Sequence, residues 1–174
     1  MKPADIDGDA FFPDYDRDEI SFPQLGYHPQ LVSVFDHVLT AEECDANKIT
    51  FYDEAREHGR LREYLTGESS FLSFYRELAV QGAYIRKGQH YWQAVGEDDP
   101  AFEAILTNSL REIHPNDLMD VYFIGPAIRA RGGFDRTDLL LLRDKAFMAE
   151  LKDLARRHRL YLLPTDDHGS SPGN

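Results

Sequence analysis

Cysteine is almost absent: Cys44 is the only one in 174 residues. A single thiol excludes an internal disulfide and cannot by itself furnish a cysteine-based zinc site, so a reducing compartment, the cytoplasm, is expected. Long apolar runs are missing too. The longest, Leu139–Leu142, falls far short of the roughly 20 residues that span a bilayer, so no membrane association is expected. Met-Lys-Pro-Ala-Asp at the start leads straight into acidic residues without the apolar stretch of an export signal.

Positive charge is scarce, with 19 Lys and Arg against 31 Asp and Glu and a net charge of −12. Proteins hold phosphate backbones by neutralising them with cations, so direct nucleic-acid binding is not expected. Familiar catalytic templates are lacking as well. The chain has no Gly-x-Ser-x-Gly elbow, no phosphate-cradling Gly-rich loop ending in Lys-Ser/Thr, and no His-Glu-x-x-His. On these grounds no catalytic residue, metal ligand or cofactor is assigned, and a non-enzymatic role is expected.

What is present is the composition of a folded protein: 42% hydrophobic residues, 29% charged, 11 Phe and 9 Tyr. One globular domain over residues 1–164 should bury roughly 70% of the surface its unfolded chain exposes. Within it, residues 1–25 read as an acidic, largely irregular segment anchored by Phe11, Phe12, Tyr15 and Phe22, and residues 165–174 as a disordered tail. Leu31–Val38 is a short apolar-rich run compatible with strand or helix. Thr40-Ala-Glu-Glu43 has capping-box spacing and predicts a helix to about His58, with Cys44 on its inner stripe. Phe71, Phe74, Tyr75, Leu78 and Ala79 predict a second helix from near Ser70 to Gly82, and Asp99-Pro100 opens a third that stops before Pro115. Strands are expected at Val121–Ile124, Ala127–Arg131 and Phe134–Leu142, then a helix capped by Asp144 and a strand at Leu160–Leu163. The resulting fold class is α+β: a mostly helical N-terminal half, then a small antiparallel β-meander with a covering C-terminal helix and a last short strand.

Charge is unevenly distributed. Met1–Asp45 holds eleven acidic residues against Lys2 and Arg17, a net of −9, whereas Ala127–Leu163 carries nine basic and five acidic residues, a net of +4. Asp5, Asp7 and Asp9 occupy the first, third and fifth positions of a calcium-loop pattern, but Ala10 stands where that loop needs glycine and Asp16 where it needs glutamate. A solvated acidic segment is the better reading. The stretch Asp7–Asp16 resembles one near the C-terminus of dihydrofolate reductases, and Leu39–Asp45 with Gly88–Tyr91 resembles segments of prolyl-hydroxylase-type oxygenases. Neither resemblance implies a shared activity. The reductases' cofactor-binding glycines are missing, and none of the seven histidines has Asp or Glu two residues later, as the oxygenase iron site requires.

Two segments suggest binding. Tyr84–Trp92 concentrates aromatics with Arg86, Lys87 and His90, so His90, Tyr91 and Trp92 are candidate ligand contacts. If Gly132-Gly133 forms a two-residue hairpin loop, Arg131 pairs with Phe134 and Arg129 with Arg136, and Arg129, Arg131 and Arg136 share one face. Opposed like charges are destabilising, so that face needs a counter-anion: a ligand, or the acidic N-terminal segment. The leading expectation is an acidic binding factor of the inhibitor or immunity type, engaging a basic protein through Asp5, Asp7, Asp9, Asp14, Asp16, Asp18 and Glu19. The alternative is a protein, or an enzyme of unrecognised kind, that holds an anionic small molecule on the Tyr84–Trp92 segment and the arginine face.

Overall fold

The structure, a computed structural model, describes residues 22–87, 91–113 and 118–165. Strand β1 (His28–Ser33) is followed by short helices α1 (Ala41–Ala46) and α2 (Tyr52–Glu57) and by the long helix α3 (Leu61–Leu78). Strands β2 (Ala83–Lys87) and β3 (Tyr91–Val95) precede helix α4 (Pro100–Leu110). Strands β4 (Asp120–Phe123), β5 (Ile128–Arg131) and β6 (Thr137–Leu142), helix α5 (Met148–Arg157) and strand β7 (Tyr161–Pro164) complete the order.

These strands form one seven-stranded sheet in the order β3-β2-β4-β5-β6-β1-β7, with every neighbouring pair antiparallel. The expected arrangement of a helical first half and a small late meander is therefore incorrect. The first strand starts at His28 and sits between β6 and β7, and the β2–β3 hairpin separates α3 from α4. Pairing partners of β1 lie more than a hundred residues away, as in Val32 opposite Asp138, and periodicity within a short window carries no trace of such partners.

Local signals explain the helix ends. Thr40 caps α1 in a complete capping box with Glu43, but the helix stops at Ala46, and a separate turn of helix starts at Tyr52. Asp99 caps α4 with Pro100 at its first position, and Asp144 caps a 3-10 turn leading into α5. Helix α3 begins at Leu61, nine residues before the start expected near Ser70; its first turns are mostly polar and contain Gly67, which locally disfavours helix and hides this part of it from sequence reading. A Cβ on Gly67 would stand 2.2 Å from Arg136 Nη2 and 3.0 Å from Val34 Cγ1. Gly67→Ala should accordingly destabilise by about 1–3 kcal/mol despite alanine's better helix propensity. The urea midpoint measures it, and a more stable variant would show that Arg136 moves aside freely.

The core lies on one face of the sheet. Phe71, Phe74, Tyr75 and Leu78 of α3, Phe102 and Leu106 of α4, and Leu151 and Leu154 of α5 pack against Val32, Ile85, Val121, Phe123, Ala130 and Leu140. Tyr75 stacks on Phe123 at 5.8 Å between centroids, and Phe102 meets the same ring edge-on at 6.3 Å. Glu68, buried on α3, accepts two hydrogen bonds of 2.6 Å from Arg111, tying α3 to the end of α4.

Candidate functional site

Strand alternation places the residues between the core positions on the opposite, second face of the sheet. Trp92 of β3, Arg86 of β2, Asp120 and Tyr122 of β4, and Arg129 and Arg131 of β5 lie there, with Leu139 and Leu141 of β6 further along. Asp120 is the centre of this row. Arg129 donates to both of its carboxylate oxygens, Nε at 2.6 Å and Nη2 at 2.5 Å, and Arg86 Nη1 donates to Oδ2 at 3.2 Å. The Arg129 guanidinium also stands 5.4 Å from the centroid of the Trp92 ring. Only 2% of Arg129 is exposed, so its charge is balanced inside the protein and not by solvent.

The Gly132-Gly133 hairpin differs from the two-residue loop expected of it. Arg131 pairs with Leu139 and Arg129 with Leu141, so seven residues, 132–138, separate the last paired positions, and five of them, 132–136, lie outside both strands. Asp135 and Arg136 adopt left-handed backbone at φ 59° and 57°, and the Gly133 N–H donates to Asp138 Oδ1 at 3.0 Å. These added loop residues turn Arg136 away from the other two arginines. Its guanidinium crosses to α3, donating to the Tyr64 carbonyl at 2.9 Å and lying 4.3 Å from the Tyr64 ring centroid. Burial lowers its affinity for the proton below the ordinary arginine value. The expectation of three arginines on one face is corrected accordingly: Arg129 and Arg131 share it, and Arg136 does not.

Beside this loop Asp138 is fully buried on the helix-covered side. It accepts a 2.6 Å hydrogen bond from the Tyr75 hydroxyl, and burial pushes its carboxyl up to about 6. Glu112 is pushed up to about 7 by burial and by the nearby Asp135 carboxylate. The Cys44 thiol is raised by burial and by Asp135, which keeps it protonated and makes it a poor nucleophile. Among the described residues, no group of three or more His, Cys, Asp or Glu is placed to hold a metal ion.

The strongest surface feature is acidic. Between Asp36 and Glu57 seven carboxylates stand against Lys48 and Arg56, a net of −5. Asp36, Glu42, Glu43, Asp45, Asp53 and Glu57 are all exposed, with Asp36 and Asp53 side chains 72% and 74% accessible. His37 lies among them, bonded to Asp36 at 2.7 Å and Glu43 at 3.2 Å, and these hydrogen bonds raise its pKa above the ordinary histidine value. Elsewhere, an open groove of about 730 Å³ runs between α3 and the end of α5, beside Arg62, Ser69 and Arg159. Its Thr66 and Ser70 hydroxyls donate to carbonyls of their own helix.

Of the residues singled out from sequence, Arg129, Arg131 and Trp92 come together, while Arg136 points to α3. Tyr91 belongs to β3, and His90 lies outside the described residues, as do Asp5, Asp7, Asp9, Asp14, Asp16, Asp18, Glu19 and the tail from 166. Sequence reasoning missed Asp120, whose only signal was its alternation with Val121, and counted Arg86 within the Tyr84–Trp92 segment without naming it as a contact. Among the described residues no helix is long and apolar enough to cross a membrane. No family model, no curated protein and no solved structure matches this chain.

Proposed function

We propose that the protein is a non-enzymatic binding factor of the inhibitor or immunity type, which engages a basic protein through its carboxylate-rich surface. The supporting observation is the exposed edge formed by Asp36, Glu42, Glu43, Asp45, Asp53 and Glu57, which keeps a net negative charge although Arg56 pairs with Asp53 at 2.9 Å and His37 bonds to Asp36 and Glu43. The seven acidic residues from Asp5 to Glu19 add to the net negative charge of the chain, and complementary charge accelerates encounter and selects the partner. A reading as an anionic-ligand site on Arg129, Arg131, Arg136, His90, Tyr91 and Trp92 has less support. Arg129 is already neutralised by Asp120, and Arg136 is buried against α3.

The test is capture of partners from a host lysate at low and high salt, followed by association kinetics with the captured protein. A stoichiometric basic protein released by salt is expected, with Asp36→Asn/Asp45→Asn/Asp53→Asn slowing association by about tenfold. Protonated His37 cancels one unit of the edge's charge, so association should also slow as pH falls through its raised pKa. A lysate that yields no basic partner, or a neutralised edge that binds as fast as wild type, would overturn the reading.

A further inference from the structure

The groove between α3 and the end of α5 is a cationic island on an acidic chain. It measures about 730 Å³, a size typical of small-molecule sites, and Arg62, Ser69, Ser73, Arg157, His158 and Arg159 line it. Although the chain carries 31 Asp and Glu, no carboxylate is among the described residues on its walls. The two walls are built differently. On α3, Arg62, Thr66, Ser69 and Ser73 recur at helical spacing as one polar stripe, and the neighbours of Arg62 three and four residues away, His58, Gly59, Leu65 and Thr66, offer it no counter-charge. At the end of α5, Glu77 pairs with Arg157 and lies 2.8 Å from His158 Nε2, which fixes that wall and balances one positive charge.

Arg159 completes the second wall in a conformation that arginine disfavours. Helix α5 ends in a Schellman motif, with the Leu160 N–H donating to the Ala155 carbonyl at 2.9 Å and the Arg159 N–H to the Arg156 carbonyl at 3.1 Å. The motif needs left-handed backbone at Arg159, which adopts φ 58°. Glycine is the usual occupant of such a position, because a Cβ is strained there. Among the described residues neither Arg159 nor Arg62 enters an ion pair, so the guanidinium that this strained position presents to the groove meets no opposite charge among them. Backbone strain of this kind gathers at ligand sites, where it holds a side chain in place.

We infer that this groove binds a small organic phosphate, held by the guanidiniums of Arg62 and Arg159 from its two walls and by the Ser69 and Ser73 hydroxyls, with its organic body on Leu61 and Leu65. A phosphate monoester carries close to two negative charges and three acceptor oxygens, which suit two guanidiniums without counter-ions and two hydroxyl donors; a carboxylate brings one charge and two oxygens. Leu65 is 37% exposed beside these groups, an apolar surface that inorganic phosphate would leave uncovered. The net charge of −12 repels a polyanion, so the occupant is a single small molecule. The groove shares no residue with the acidic edge, so loss of one leaves the other in place.

Phenyl phosphate is the probe, titrated into the full-length protein at low salt while backbone amide signals are followed by NMR. Wild type is expected to bind it saturably with a Kd below about 1 mM, with shifts concentrated at residues 61–73 and 157–159. Arg159→Gly separates binding from structure. It should weaken binding about tenfold while raising the urea midpoint, because glycine relieves the left-handed backbone. Arg62→Gln should weaken binding to a similar extent. Arg156→Gln, at an exposed arginine of α5 outside the groove, should stay within about twofold of wild type. No saturable binding below about 10 mM, unchanged binding in Arg159→Gly, or equal losses in Arg156→Gln and Arg159→Gly overturns the proposal. Benzoate or inorganic phosphate binding as tightly as phenyl phosphate overturns the assignment of an organic phosphate as the occupant.

Discussion

Asp120→Ala should cost about 3–5 kcal/mol of stability, because it removes the carboxylate that accepts two hydrogen bonds from a buried guanidinium which the fold cannot return to water. Arg129 is 2% exposed, and the Asp120 carboxylate takes both of its strongest donors, at 2.6 and 2.5 Å. Arg86 is in a different position: a third of its side chain is accessible, so it can rehydrate when its 3.2 Å contact is lost. The cost therefore arises mostly at Arg129. Replacing both partners removes the charge together with its counter-charge, so Asp120→Ala/Arg129→Met should recover most of the loss, as buried pairs replaced by apolar residues often do. Urea unfolding of wild type, both single variants and the double variant supplies the cycle. A loss below about 1 kcal/mol in Asp120→Ala would mean that the guanidinium finds another anion, and would remove Asp120 from the centre of this face.

The same pair shows where sequence reading reaches its limit. Helix caps were legible because they are local: Thr40 with Glu43, Asp99 with Pro100 and Asp144 each signal a helix start within four residues. Strands β4, β6 and β7 were visible as apolar runs, and β5 as Ile128 and Ala130 alternating with arginines. The pairing of β1 with β6 and β7 was not, since it joins segments from opposite ends of the chain. Nor was the true loop at Gly132-Gly133 legible. Two glycines suit a tight turn, but the loop depends on the Gly133 N–H reaching the Asp138 carboxylate and on Asp135 and Arg136 taking left-handed backbone. That five-residue shift of register changes which arginines face one another. The acidic edge at α1 and α2 was legible only in part: the charge count over Met1–Asp45 takes in Asp36, Glu42, Glu43 and Asp45, while Asp53 and Glu57 were not counted, and the structure adds that all six are exposed.

Raising the pH from about 4 to above 6 should destabilise the protein through Asp138. Its carboxyl is fully buried and pushed from 3.8 up to about 6, so the folded state holds this proton more tightly than the unfolded chain does. The stability that comes from the protonated form is fully present below the unfolded pKa and is lost as pH rises through the folded one. About two pH units of difference correspond to about 3 kcal/mol, lost across that window and flat above it. Asp138→Asn carries no charge to bury. Its side-chain oxygen can still accept from the Gly133 N–H, and its amide can donate to the Tyr75 hydroxyl, so little hydrogen bonding is lost. The variant should be more stable than wild type by about 1–3 kcal/mol at pH 7 and equal to or below it near pH 4. Urea midpoints across pH 4–8 check this, and parallel curves for the two proteins would show that Asp138 does not titrate on folding. Glu112, pushed up to about 7, titrates in both proteins, so the difference between the curves isolates Asp138. Tyr75→Phe provides the complementary shift. The tyrosine's hydrogen bond favours the carboxylate, so removing it should move the wild-type window to higher pH.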